Sequence, residues 1–297
     1  MDTVVVVAAS DLQFALEEVA RAFEEGHPGV RLQLSFGSSG KWFTQLSRGL
    51  QADLFFSADA EFPRQLEQAG MVEPGTRRLY AVGRLVVWVR QDLLGQARTA
   101  ARSQTAGAAA PAGVPPPAEP DIGPDLLRHP AVTRLAIANP VHAPYGRAAL
   151  TLLEHYGLAR RLRPVDWQHM EGSLDRYWDL QPLRAGKRSF EFVLGENVSQ
   201  AAQLALQATG AGILALSVVR GSPLESAGRY WLAPLDSHLR LEQVYVVLRG
   251  RARPAVRAFY EFVASPQARA ILRRYGFVLP GELPPSSPVA PGGEASL

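Results

Sequence analysis

Two pairs of small polar residues, Ser10-Asp11 and Ser38-Ser39, stand between an apolar β-type run and the start of an amphipathic helix. The first turn of a helix has N–H groups with no intrahelical acceptor and carries the positive end of the helix dipole. With serine hydroxyls added, such a turn can hold a cluster of anionic oxygens using neutral donors. The chemistry this suggests is recognition of a small oxyanion. Covalent catalysis lacks its parts: Gly37-Ser38-Ser39-Gly40-Lys41 misses the Gly-x-Ser-x-Gly nucleophile pattern, because Lys41 takes the last position. A phosphate-loop Gly-x-x-x-x-Gly-Lys-Ser/Thr is absent as well.

The elements that would position these residues alternate. Val4 to Ala9 reads as a buried strand, and Leu12, Leu16, Val19 and Phe23 share one face of a helix over 11–25. Arg31 to Phe36 and a helix over 40–49 follow, then Asp53 to Phe56 and a helix carrying Phe62, Leu66 and Ala69. The pattern resumes with Thr133 to Ala138, a helix from Pro144 to Tyr156, a strand from Phe190 to Leu194, a helix from Asn197 to Ala208, and Ile213 to Leu216. Alternation of this kind predicts parallel sheets flanked by helices. Helices over 255–263 and 266–274 close the sequence of elements.

At 297 residues the chain exceeds the size of one core, so two lobes are expected. Two long apolar runs, Leu79 to Arg90 and Leu239 to Arg249, are the candidates for crossing between them. The expected division is residues 1–84 with 241–280 in lobe one, and 85–240 in lobe two. Irregular inserts fall near 91–128, rich in Ala and Pro, and near 166–189; the Pro- and Ser-rich tail 281–297 is expected to be disordered.

Composition narrows the function classes. The net charge of +3 with scattered arginines gives no nucleic-acid footprint. Without cysteine there is no disulfide framework and no thiolate nucleophile, and the six histidines show no His-x-x-x-His spacing, so no metal site held by protein ligands is expected. No apolar stretch approaches the ~20 residues of a membrane span. No export signal is legible at the start of the chain.

Four segments place a small or polar motif at the carboxyl end of a strand and the first turn of a helix: Ser10-Asp11, Ser38-Ser39, Ala143-Pro144-Tyr145-Gly146 and Glu196-Asn197-Val198. Ligands of open α/β sheets bind at that end. Two segments fall in each expected lobe, so a shared cleft would gather all four.

Together with Ala52-Asp53-Leu54-Phe55-Phe56-Ser57-Ala58-Asp59 and Tyr80 to Trp88, these segments resemble the periplasmic molybdate-binding proteins of ABC importers, the ModA family, in order through residues 4–279 apart from the two irregular inserts. The resemblance implies a two-lobed α/β fold of the class II periplasmic-binding-protein type, each lobe a mainly parallel sheet flanked by helices, joined by two crossover strands. It also implies a non-enzymatic role: binding molybdate or tungstate outside the cytoplasm, as a monomer without a cofactor, and delivering it to a membrane permease. By position, Ser10, Asp11, Ser39, Tyr145 and Val198 would contact the oxyanion, with Ser38 and Asn197 behind them. Some family members place a tyrosine where Ala215 stands here, so the chain resembles the subgroup with tyrosine in Pro-Tyr-Gly.

Asp11 is the awkward member, since a desolvated carboxylate beside a dianion is costly. Its side chain is expected to cap the helix while its backbone N–H faces the ligand. Ser38 is expected to form the turn, and Asp53 and Asp59 to act as caps and turn formers. Two other readings keep the same fold: a binding protein for sulfate or another oxyanion, and a cytosolic oxyanion-sensing module.

Overall fold

The computed structural model describes residues 1–95, 123, 124, 127, 132–167, 174–180 and 191–282. The tail 283–297 and most of the two inserts lie outside these residues.

Strand β1 (Asp2–Ala9) carries four consecutive valines, a β-branched run suited to the middle of a sheet covered on both faces. It pairs in parallel with β2 (Val30–Gly37) on one side and β3 (Leu54–Ser57) on the other. Between β1 and β2 lies α1 (Gln13–Gly26), which buries Ala15, Leu16, Val19, Ala20 and Phe23 at helical spacing. Helices α2 (Ser39–Ser47) and α3 (Glu61–Gln68) flank β3 in sequence. The first sheet has the order β2-β1-β3-β12-β4, with β4 spanning Arg78–Gly83 and β12 spanning Leu241–Val247. Since β12 is antiparallel to both neighbours, the other four strands run one way. Two apolar clusters cover the sheet's faces, one around Phe23, Phe56, Tyr245 and Phe259, the other around Phe55, Phe62 and Leu66.

The second sheet has the order β11-β5-β10-β6-β9. Its strands are β5 (Leu85–Arg90), β6 (Arg134–Ala138), β9 (Glu191–Gly195), β10 (Ala211–Ala215) and β11 (Gly228–Leu232). Again a single strand, β5, opposes its neighbours, while β6 is parallel to β9 and β10. A short antiparallel pair, β7 (Ala159–Arg161) with β8 (Trp178–Leu180), stands apart. Helix α4 (Pro144–His155) begins with proline at its first position, where the missing N–H costs nothing. It is followed by α5 (Val198–Leu204), α6 (Leu216–Arg220) and α7 (Leu224–Ala227). Helices α8 (Pro254–Phe262) and α9 (Pro266–Arg274) return to the first sheet.

The fold is thus the two-lobed, mainly parallel architecture expected. The apolar run over 79–90 is not one strand. It breaks at Arg84 into β4, in the first sheet, and β5, in the second. The second long run starts later than expected, at Leu241, because residues 233–240 connect the sheets without strand pairing. Gly83 and Leu241 are register partners, so the two crossings lie side by side.

The helix expected over 11–25 starts late, because Ser10–Leu12 forms a 3-10 turn ahead of α1. Of the aromatic residues in the second insert, Trp167 stacks on Trp178 with ring centroids 5.4 Å apart, and Arg161 lies over Trp178.

Candidate functional site

The loops leaving β1 and β2 face those entering α4 and α5 across a small cavity between the sheets, lined by Ser10, Asp11, Ser38, Ser39, Tyr145 and Val198 among others. The second-tier candidate Asn197 also reaches this wall, and its Oδ1 accepts the Gln200 N–H at 3.0 Å, which caps α5. All four segments marked in the sequence therefore meet in one place.

The hydroxyl bookkeeping is directional. Ser39 Oγ accepts the N–H of Ala58 at 2.9 Å, and Ser10 Oγ accepts the N–H of Ser199 at 3.5 Å. An oxygen used as acceptor in this way keeps its own O–H to donate. Ser38 is the residue before α2 but makes no side-chain cap bond, and its buried hydroxyl has no partner. The turn role expected of Ser38 falls to its carbonyl, which accepts from the Trp42 N–H at 3.1 Å and leaves the hydroxyl uncommitted. Ser39, Tyr145 and Val198 fall in the first turns of α2, α4 and α5, where backbone N–H groups have no intrahelical acceptor.

Asp11 departs most from expectation. It is 1 % exposed, and its carboxyl does not cap α1; it turns into the core between the lobes. Gln243 Nε2 donates to Asp11 Oδ2 at 2.7 Å, and Tyr80 Oη donates to Gln243 Oε1 at 2.8 Å. The Tyr145 hydroxyl lies against the same carboxyl from the second lobe, and neither Asp11 Oδ1 nor Tyr145 Oη completes a well-aligned hydrogen bond. Burial raises the Asp11 pKa to about 7, against the opposing pull of the neighbouring Tyr145 hydroxyl and of the Gln243 amide. The Tyr145 phenol is pushed well above its ordinary value by burial and by Asp11, so it stays a neutral donor.

Around the cavity the lobes touch through polar groups. Ser199 Oγ donates to the Ser10 carbonyl at 3.0 Å and Ser217 Oγ to the Asp11 carbonyl at 2.7 Å. At the rim Lys41 pairs with Glu196, and Arg147 faces Asp59 at 3.8 Å. His142 sits among these charges, yet burial, then Lys41 and Arg147, lower its pKa to about 4, so it adds no positive charge near neutrality. Asp59 does form the turn into α3, accepting the Phe62 N–H at 3.1 Å. Asp53 is instead tied to Arg253 at 2.6 Å and to the Val5 N–H at 2.7 Å, away from the cavity.

Sequence reasoning missed Ser199, Ser217 and Gln243. Ser199 directly follows a marked residue. Gln243 had a signal: it is the one uncharged polar residue in the otherwise apolar run Val244 to Val247 and its approach, Leu241-Glu242-Gln243, and it is fully buried.

The family model for bacterial extracellular solute-binding proteins matches residues 4–278. The chain belongs to that family. The molybdate-binding protein ModA of Rhodobacter capsulatus is 29% identical over 279 residues, covering 93% of this chain and 88% of its own length. ModA of Escherichia coli is 26% identical over 284 residues, with 93% and 89% covered. In structure, this solute-binding protein superimposes on the periplasmic molybdate-binding protein of Azotobacter vinelandii with a TM-score of 0.70 at 28% identity, covering 93% of this chain and 99% of that one. It shares its fold with the sulfate-binding protein SubI of Mycobacterium tuberculosis at a TM-score of 0.61 and 16% identity, with 93% and 86% covered.

Proposed function

We propose that this chain is the substrate-binding component of a molybdate or tungstate ABC importer, working outside the cytoplasm as a monomer and handing the anion to a membrane permease. The observation that carries this reading is the set of uncommitted donors on both sides of one cavity. Ser10 and Ser39 accept backbone N–H groups and so turn their O–H outward, and the Ser38 hydroxyl is buried without a partner. Tyr145 and Val198 offer first-turn N–H groups from the opposite side. A tetrahedral dianion suits such a site, because several short neutral donors replace its hydration shell without a buried counter-ion. The Asp11 backbone serves the same site, and Asn197 holds the α5 turn in place.

In this reading residues 1–84 with 241–280 form one lobe and 85–240 the other. The anion stabilises the closed arrangement because only there do donors from both lobes reach it. No cofactor enters, and binding is the whole activity. The full-length likeness to the ModA proteins supports molybdate and tungstate over sulfate; the likeness to SubI is one of fold alone.

Calorimetric titration of the purified protein with molybdate, tungstate, sulfate and phosphate in one buffer tests the reading. One-to-one binding of the first two, at least ~100-fold tighter than sulfate, is the expected result. Tighter sulfate binding would move the assignment to sulfate, and no binding of any anion would overturn it.

A further inference from the structure

A carboxyl group in the wall of a dianion site requires an explanation that the donors alone do not provide. The arrangement around Asp11 supplies one. Tyr80 Oη donates to Gln243 Oε1 at 2.8 Å, and the other end of the same amide, Nε2, donates to Asp11 Oδ2 at 2.7 Å. Oδ2 is thereby committed as an acceptor. The other oxygen, Oδ1, is buried and without a well-aligned partner, and so is the Tyr145 hydroxyl beside it. The groups facing the carboxyl from neighbouring elements are Tyr145 of α4, Tyr80 of β4, Gln243 of β12 and the Ser217 hydroxyl of α6, which donates to the Asp11 carbonyl. None of these is a cation.

We propose that the oxyanion is bound together with one proton, carried on Asp11 Oδ1, and that Gln243 is the positioning residue that reserves this oxygen for it. The inference rests on the oxyanion-binding reading above. Before binding, the Tyr145 hydroxyl is free to donate to an ionised Asp11. When a dianion enters, two like charges would share a site closed to water, and the ionised acid is the one that can be neutralised. The proton comes from solvent or buffer, and no covalent bond is made or broken. Protonated Asp11 donates from Oδ1 to Tyr145 Oη, which releases the phenol proton to point at the anion. A group placed as a repulsive charge becomes the first member of a donor chain, Asp11 to Tyr145 to oxyanion. Burial already drives the group this way, raising its pKa to about 7 before any anion is present.

The test is calorimetry of tungstate binding in Tris and in HEPES, which differ in ionisation enthalpy, from about pH 6 to about pH 9. The expected result is uptake of close to one proton per anion bound at about pH 8, and a Kd that rises between three- and tenfold per pH unit above about pH 7. D11N is expected to abolish both the uptake and the pH slope, because its amide N–H is a permanent stand-in for the protonated oxygen, and to bind more tightly than the natural protein at about pH 9. Gln243→Leu removes a hydrogen bond that favours the ionised form, so its pH profile should shift toward higher pH. Tungstate binding by the natural protein with no proton uptake would overturn the inference while leaving the oxyanion reading in place, and this holds even if D11N fails to fold. A D11N profile as steep as the natural one would also overturn it. Absence of binding to any tetrahedral oxyanion at every pH would overturn both.

Discussion

The N–H of Gly40 donates to the carbonyl of His142 at 2.9 Å, joining the first turn of α2 in one lobe to the loop before α4 in the other. The contact is possible only because residue 40 has no side chain. A Cβ there would lie 2.8 Å from the His142 carbonyl oxygen and 2.9 Å from its Cα, both backbone atoms that cannot swing aside.

Gly40→Ala is therefore expected to hold the lobes apart while leaving α2 intact, since alanine is the better helix former. Molybdate affinity should fall about 10- to 100-fold, or ~1.4 to 2.8 kcal/mol. The Tm without ligand should change little, and small-angle scattering with saturating ligand should show a larger radius of gyration than the natural protein. Unchanged affinity would mean that the lobes close without this contact.

Ser39→Ala removes a hydroxyl that can donate to the anion and strands the Ala58 N–H that it accepts. A loss of ~1 to 3 kcal/mol in binding is expected for a hydrogen bond to a charged group. Equal affinity of the variant in calorimetry would remove Ser39 from the site.

The stability of the protein should record the burial of Asp11. Its pKa rises on folding from 3.8 to about 7, so the folded state holds the proton more tightly than the unfolded chain. Below the lower value both states are protonated and the group is neutral in the balance. Between the two values stability is lost as pH rises, and above about pH 7 the loss is complete. D11N should accordingly raise Tm more at about pH 8 than at about pH 4, measured by calorimetry without ligand. An equal effect at both pH values would contradict the assignment.

Lys41 and Glu196 form a rim ion pair that is half exposed on both sides. Lys41→Ala should weaken ligand binding by less than ~1 kcal/mol, and the difference from the natural protein should shrink in high salt. A larger effect that salt does not alter would mean that Lys41 acts on the anion itself.

The fold was legible because its signals are local. The valine run of β1, the helical spacing in α1 and the proline at the start of α4 each state their element without reference to the rest of the chain. The first-turn motifs were legible for the same reason. What could not be read were the relations between distant residues. Nothing near Asp11 in sequence announces Gln243, 232 positions later, so a cap was the expected partner and a buried amide is the actual one. The run over 79–90 was legible as a crossing but not as two strands, because β4 and β5 are both apolar and periodicity cannot tell one long strand from two that part at Arg84 into different sheets.

The side-by-side crossings at Gly83 and Leu241 set a lever. Any rotation of one lobe about that line moves atoms in proportion to their distance from it. Gln243 lies two residues from the crossing, and Tyr145 Oη is so near that a Cβ on Gly83 would fall on it; the Asp11 cluster therefore sits at the fulcrum. Lys41 and Glu196, half exposed at the rim, are not part of that cluster. Rotation about that line displaces the Asp11 cluster little, so the buried carboxyl keeps its neighbours while the angle between the lobes changes.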